Sequence, residues 1–485
     1  MSLLFHSTNG QSPAVDLREA LLQGQAPDRG LYFPEKFPKL TAAELAAFAQ
    51  LPYHEIAFRV LSKFTDGVIG NAELAAMCRD AYTFPVPLEK VHDRVHVMRL
   101  DQGPTASFKD FAAQMMARLI GYFLKQDKRQ LTILTATSGD TGAAVAHAFH
   151  NVPGIRVIVL FPIDEVSLSQ RKLMTTLKDN VRTVAVDGKF DDCQAMVKRA
   201  FADADLKRIP LSSANSINIG RLLPQSVYYF YAWSRLTSAG SSRCDDRTAQ
   251  RAVPALEPIV FSVPSGNFGD MMGAVVAREM GLPVKKIIVP VNDNDAFPKF
   301  LQAGVYEKIV PSRNSLSNAM NVGHPSNLAR LAMVYGGRMD ETGKIHRQPD
   351  LAAMRRDLFS SSISDGRTRE TIKAVWDKYQ LLLEPHGAVA WRGFEDWLES
   401  EIEDRRSKIG TPNPELRTPN SELLSPVAVL ETANPAKFPE EIERMMGWSP
   451  DIPAAMEITN RLPEDFDRMD ADYEKFKAYL LAKHA

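Results

Sequence analysis

A chain of 485 residues, 45% hydrophobic and 24% charged, has enough apolar material to bury a core spread over roughly two or three domains. With 58 basic residues against 59 acidic ones the formal net charge is -1, and no basic run is interleaved with aromatics, so nucleic acid and anionic membrane surfaces are not expected as partners. Cys78, Cys193 and Cys244 are odd in number and lack a C-x-x-C pair, which predicts a reducing compartment and no metal site; the opening MSLLFHSTNG has no secretory signal pattern and no apolar run reaches membrane-spanning length, so the expected location is the cytoplasm.

In chain order, Leu17–Leu22, Ala42–Leu51 and Glu55–Phe64 read as short helices separated by Pro and Gly, giving a helical N-terminal segment over residues 1–94. From Val95 the pattern changes. Val95–Leu100, Leu131–Thr135, Arg156–Phe161, Val181–Val186, Pro258–Val263, Lys286–Val291 and Val427–Glu431 are continuous apolar runs with helical spacing between them, as in Phe111–Phe123. Strands apolar on both faces with helices between them predict the α/β class, with parallel sheets in two lobes over residues 95–485, the smaller at about 130–225. Ser238–Glu257, rich in Ser, Arg and Asp, and Glu403–Pro426, with mixed charges and four prolines, read as surface insertions.

Four segments fall where such sheets place ligands, beyond the carboxyl ends of strands. LDQGPTASFKD at Leu100–Asp110 puts Lys109 at a helix start, with Pro104, Thr105 and Ser107 supplying a turn and an N-cap. Burial and a helix N-terminus both disfavour the charge of a lysine there, and a neutral amine attacks an aldehyde; most first-turn lysines, however, are solvated surface, and the motif alone is weak. Leu131–His147 runs from a strand through Thr137, Ser138, Gly139, Asp140 and Thr141 into a small-residue helix, which reads as an anion site or as a plain turn capped by Asp140. Pro258–Gly273 places Gly266, Gly269 and Gly273 after a strand and before a helix, spaced unlike either the dinucleotide fingerprint or the Walker loop. Val427–Phe438 ends its strand in Thr432, a hydroxyl available to a ligand.

Taken in this order, the segments resemble the fold type II pyridoxal-phosphate enzymes, and within them the threonine synthases. Phe5–Pro38 is similar to the family's N-terminal signature, Thr105–Asp110 to its T-x-S-F-K-D lysine motif, Thr135–Gly142 to its T-S-G-D-T-G loop and Ser265–Asp270 to its S-G-N-F-G-D phosphate loop. ANSINIGR at Ala214–Arg221 and ETANPAKF at Glu431–Phe438 complete the set, with Asn434 standing where the family pattern has His. The resemblance implies the architecture of that fold type, pyridoxal 5'-phosphate as cofactor, and conversion of O-phospho-L-homoserine and water to L-threonine and phosphate by a monomer or homodimer.

The resemblance also implies roles. Lys109 would hold the cofactor aldehyde and then move protons at Cα and Cβ; Ser265, Gly266, Asn267, Phe268 and Gly269 would bind the cofactor phosphate. Thr432 would meet the pyridine nitrogen, and Asp140 the 3-oxygen, where an ionised carboxylate would repel a phenolate unless one oxygen carries a proton. Thr137, Ser138 and Thr141 would take the substrate carboxylate, and Asn215, Ser216, Asn218 and Arg221 the leaving phosphate, although an arginine there also reads as a surface salt bridge. Two other functions are compatible with a chain of this kind. A phospholyase releasing a 2-oxo acid and ammonia would keep the same motifs, and the altered Asn434 is compatible with it. A non-catalytic amino-acid-binding regulator would be expected to lose Lys109 or the glycines, which this chain keeps.

Overall fold

The computed structural model describes residues 3–238, 256–409 and 425–483. The runs read as two-sided strands build two sheets. In the larger the order is Leu358–Phe359, Val284–Ile288, Ile259–Ser262, Val427–Glu431, Val95–Arg99 and Leu88–His92, parallel except for the last pair. In the smaller, Asp467–Asp470, Val181–Asp187, Ile155–Pro162, Leu131–Ala136 and Leu211–Ser212 are parallel throughout. Every residue of Leu131–Ala136 and of Val427–Glu431 is buried, as expected where helices cover both faces.

The N-terminal helices Leu17–Gln23 and Ala42–Ala47 start at expected places because the sequence caps them: Asp16 accepts from the Glu19 amide, and Thr41 forms a reciprocal capping box with Glu44, whereas Tyr53–Thr65 starts two residues before the expected Glu55, behind Pro52 and without a side-chain cap. Their apolar faces, including Leu17, Leu21, Leu45, Ile56, Val60 and Phe64, join the core of the larger lobe. A further helix at Asn71–Ala81 was not expected, and Ala42–Leu51 is an α-helix only to Ala47 before a tighter turn at Phe48–Gln50.

Two more boundaries move. The helix Pro385–Ile409 makes Glu403–Ile409 helical where an insertion was expected; the rest of that insertion to residue 424, and residues 239–255 of the other, lie outside the described residues, as does Cys244. The smaller lobe extends past 130–225, because Asp467–Asp470 pairs with Val184–Asp187 and the helix Tyr473–Lys483 contributes Tyr473, Phe476 and Leu480 to its core.

This topology positions the site. Ile259–Ser262, Val427–Glu431 and Val95–Arg99 are neighbours, so the segments beginning at Ser265, Thr432 and Gly103 leave their carboxyl ends side by side. Leu131–Ala136 and Leu211–Ser212 are neighbours in the other sheet and bring Thr137–Thr141 beside Asn215–Arg221.

Candidate active site

Lys109 is the first residue of the helix Lys109–Asp127. The cap expected from Thr105 or Ser107 is not made: Ser107 Oγ is buried without a partner, while Thr105 is tied to Asp110, its amide donating to Oδ2 at 2.8 Å and its hydroxyl to Oδ1 at 2.7 Å. The turn is tight enough to hold Ala106 at φ 51, a left-handed conformation that costs a non-glycine residue on the order of 1 kcal/mol and is kept only where the surroundings enforce it.

The Lys109 amine lies 3.5 Å from Asp140 Oδ2, with its side chain 12% exposed. Burial lowers its pKa; Asp140 pulls the other way, and the cations Lys437 and Arg221 reinforce the lowering. Asp140 has a second cation, which sequence reasoning missed. Lys437 Nζ, wholly buried, lies 2.6 Å from Asp140 Oδ1, and Gln170 Nε2 donates to that oxygen at 3.1 Å. Although burial alone would raise the Asp140 carboxyl, Lys437 and then Lys109 hold it well below the usual carboxylate range. The one available signal was the lysine inside ETANPAKF.

The glycine loop turns from Ile259–Ser262 into the helix Gly269–Glu279, with Phe268 at φ 65 and its ring packed edge-on to Phe297, centroids 4.8 Å apart. Among the described residues the amides of Gly266, Asn267, Phe268, Gly269 and Asp270 donate to no protein acceptor. Successive unengaged N–H groups at a helix N-terminus form a cradle for an anion such as a phosphate. A Cβ on Gly266 would lie 2.8 Å from Met320 Cα and 3.0 Å from the Ala319 carbonyl, so the neighbouring turn can close on the loop only against glycine. The side chains serve the loop itself: Ser265 donates to the Val263 carbonyl at 2.8 Å, and Asn267 Oδ1 accepts from the Ser326 hydroxyl at 3.2 Å.

A similar division holds at Thr137–Thr141. The Thr137 hydroxyl oxygen accepts from the amides of Gly139 at 2.9 Å and Gly142 at 2.8 Å, shaping the loop, while the amides of Ser138, Asp140 and Thr141 are unengaged among the described residues. Thr432 is buried at its strand end, its hydroxyl 3.4 Å from Glu384 Oε1. His386 Nε2 accepts from the Ala319 amide at 3.2 Å, which leaves the proton on Nδ1 to donate to Glu384 Oε2 at 2.6 Å. Asn434 is a cap: its oxygen accepts from the Ala436 amide and its nitrogen donates to Asp101 at 2.9 Å.

In ANSINIGR the structure separates scaffold from free groups. Both Asn218 side-chain donors go to carbonyls, of Leu21 and Ser213 at 2.9 Å each, and its oxygen accepts from Gly220, so Asn218 holds the loop and has nothing left for a ligand. Asn215 and Ser216 are half-buried, with Asn215 Oδ1 lacking a partner. Arg221 is 3% exposed and not the surface salt bridge that an isolated arginine suggests. It donates to the Ala214 carbonyl at 2.7 Å, its Nε has no partner among the described residues, and burial pushes the guanidinium down to about 10 despite Asp110.

A second buried arginine, Arg330, also escaped sequence reasoning; its only trace is helical spacing from Asn327. Its five hydrogen bonds go to the carbonyls of Tyr32 (twice), Ser216 and Ile217 and to Asn327 Oδ1, and Asn327 in turn donates to the Asn267 carbonyl at 2.9 Å. It fastens the N-terminal segment and both candidate phosphate loops together. Arg330→Met should therefore cost about 3 kcal/mol or more by stranding buried acceptors, read as a lowered thermal midpoint together with weaker cofactor retention.

Comparison with known proteins agrees with this geometry. The family models for the threonine synthase N terminus, the pyridoxal-phosphate dependent enzymes and the threonine synthase C-terminal region match residues 4–82, 83–411 and 415–480. The threonine synthase of Haemophilus influenzae is 38% identical over 96% of this chain and 97% of its own length. The solved structures of a pyridoxal-phosphate-bound threonine synthase from Brucella melitensis (33% identity, TM-score 0.84) and of the yeast threonine synthase (27%, 0.85) each superpose over 99% of both chains. The chain belongs to the threonine synthase family of pyridoxal-phosphate-dependent fold type II enzymes.

Proposed function

We propose that this chain converts O-phospho-L-homoserine and water to L-threonine and phosphate. The observation that carries the reading is that, among the described residues, a buried lysine amine has within electrostatic reach Asp270 at the end of the unengaged amide cradle Gly266–Asp270, Asp140 within a second set of free amides (Ser138, Asp140 and Thr141), and Arg221, a buried arginine without a carboxylate partner. These groups fit pyridoxal phosphate, which when bound supplies an electron sink for negative charge at the substrate's α-carbon.

Lys109 would hold the cofactor covalently, and its amine is the group placed to move protons at Cα and Cβ of the substrate. The Gly266–Gly269 amides would take the cofactor phosphate. The Thr432 hydroxyl would partner the ring nitrogen and Asp140 the ring oxygen, Asp140 being an ionised carboxylate whose charge Lys437 already balances. Ser138 and Thr141 orient the substrate carboxylate, in a loop that Thr137 shapes. Arg221, with Asn215 and Ser216 beside it, receives the second phosphate as it leaves Cγ. The phospholyase alternative loses its motive, since Asn434 caps a turn and binds Asp101. The reading places the protein in the cytoplasm as a monomer or homodimer; among the described residues no helix is long and apolar enough to cross a membrane.

Turnover in heavy-oxygen water tests the reaction type. Elimination removes a proton from Cβ and breaks the Cγ–O bond, and water then adds with its oxygen at Cβ and a proton at Cγ, so the label should enter threonine and not phosphate. Label in the phosphate would show attack at phosphorus and overturn the proposal.

A further inference from the structure

We infer that Lys437 is a positioning residue for Lys109: it is the permanent partner of Asp140, so the Lys109 amine need not stay charged to balance that carboxylate. The inference rests on the reading of Lys109 as the amine that takes the cofactor.

The geometry is asymmetric. Lys437 Nζ is 2.6 Å from Asp140 Oδ1, against 3.5 Å for Lys109 and Oδ2, and attraction between charges falls with distance. Lys437 is also held from a second side, donating to the Thr105 carbonyl at 2.9 Å in the turn that presents Lys109. Backbone bonds fix the two segments to each other: the Phe108 amide donates to the Thr432 carbonyl at 2.9 Å and the Asn434 amide to the Ala106 carbonyl at 3.1 Å. The side chain of Lys437 is 0% exposed, so the ammonium needs a fixed counter-charge, and Asp140 is the carboxylate it touches.

The consequence is a change of proton inventory at Lys109. A lone lysine beside a buried carboxylate is held protonated, because losing the proton strands the charge on its partner. Here, when Lys109 gives up its proton, Asp140 and Lys437 remain as a neutral pair. Other charges around these groups leave this logic in place. Arg221 repels the Lys109 ammonium, Asp270 attracts it from the glycine-loop side, Asp110 acts on Lys437, and His386 near Asp140 adds a charge only when protonated on both ring nitrogens. Of the two lysines on Asp140, only Lys109 retains some exposure.

The test measures amine reactivity, not turnover. The full-length chain, freed of cofactor, is acylated competitively over a pH series and the modification is read at the Lys109 peptide by mass spectrometry. Lys437→Met removes the competing cation and leaves Asp140 to Lys109 alone, so the reactivity midpoint should move to higher pH by about one unit, a roughly tenfold loss of reactivity below the midpoint. Lys437→Gln, which can keep hydrogen bonds to Asp140 and Thr105, should shift it likewise and carries the test if the Met variant does not fold. Lys437→Arg should keep the wild-type midpoint. A midpoint unmoved in the neutral variants would overturn the inference, since a merely structural lysine predicts that result. Borohydride trapping of the cofactor-loaded chain separates the two levels: a tag on another lysine defeats the site reading, whereas a tag on Lys109 with an unmoved midpoint defeats only this inference.

Discussion

Lys109→Ala is expected to give a folded but colourless protein whose kcat falls by about four orders of magnitude or more, because covalent attachment and the principal base are lost together. Folding should survive the change. Asp140 keeps Lys437 at 2.6 Å and Gln170 at 3.1 Å, so no buried carboxylate is stranded. The same geometry names the competitor, as Lys437 is the other amine on Asp140. Borohydride reduction followed by peptide mapping should place the tag on Lys109 in the wild-type chain and leave the variant untagged. A tag on Lys437 in the wild-type chain would transfer the catalytic role to that residue.

Arg221→Ala should lower kcat/KM for O-phospho-L-homoserine by about 30- to 5000-fold, the effect of removing about 2–5 kcal/mol of charge-assisted binding from a buried phosphate partner. The cofactor should stay bound, since its phosphate cradle is made of backbone amides. Stability gives a second readout with a definite sign. Burial lowers the Arg221 pKa from the ordinary guanidinium range to about 10, so the folded state disfavours the charged form, and below that pH the guanidinium is a cost to the ligand-free fold. An uncharged residue that fills the space, as in Arg221→Met, should therefore leave the thermal midpoint of the ligand-free chain unchanged or higher while abolishing phosphate recognition. A substrate analogue with an uncharged leaving group should lose much less. Equal loss on both substrates, or a large fall in stability, would assign Arg221 to the scaffold.

The sequence is most legible where chemistry is local. Val427–Glu431 is a strand over its whole expected span, since apolar β-branched runs between turn residues have few alternatives, and each of the four ligand loops follows such a strand. Thr41 and Glu44, three residues apart, announce their helix in the same way. What stays illegible is long-range. Asp467–Asp470 is polar and mostly exposed, and is a strand because it lies along Val184–Asp187, with Arg468 paired to Asp187. Nothing near Lys437 in the chain shows that Asp140 waits for it, and nothing near Arg330 names the carbonyls of Tyr32 and Ile217. Asn218 and Thr137 show the converse: polar residues in a motif that spend their hydrogen bonds shaping a loop. An ionised Asp140 beside a ring oxygen looks repulsive only when that residue is read without Lys437, its partner at 2.6 Å.

The most direct measurement incubates purified chain with pyridoxal phosphate and O-phospho-L-homoserine and quantifies L-threonine, inorganic phosphate and 2-oxobutyrate. Equimolar threonine and phosphate without 2-oxobutyrate is the expected result. Release of 2-oxobutyrate and ammonia in place of threonine, or of phosphate alone, would contradict it.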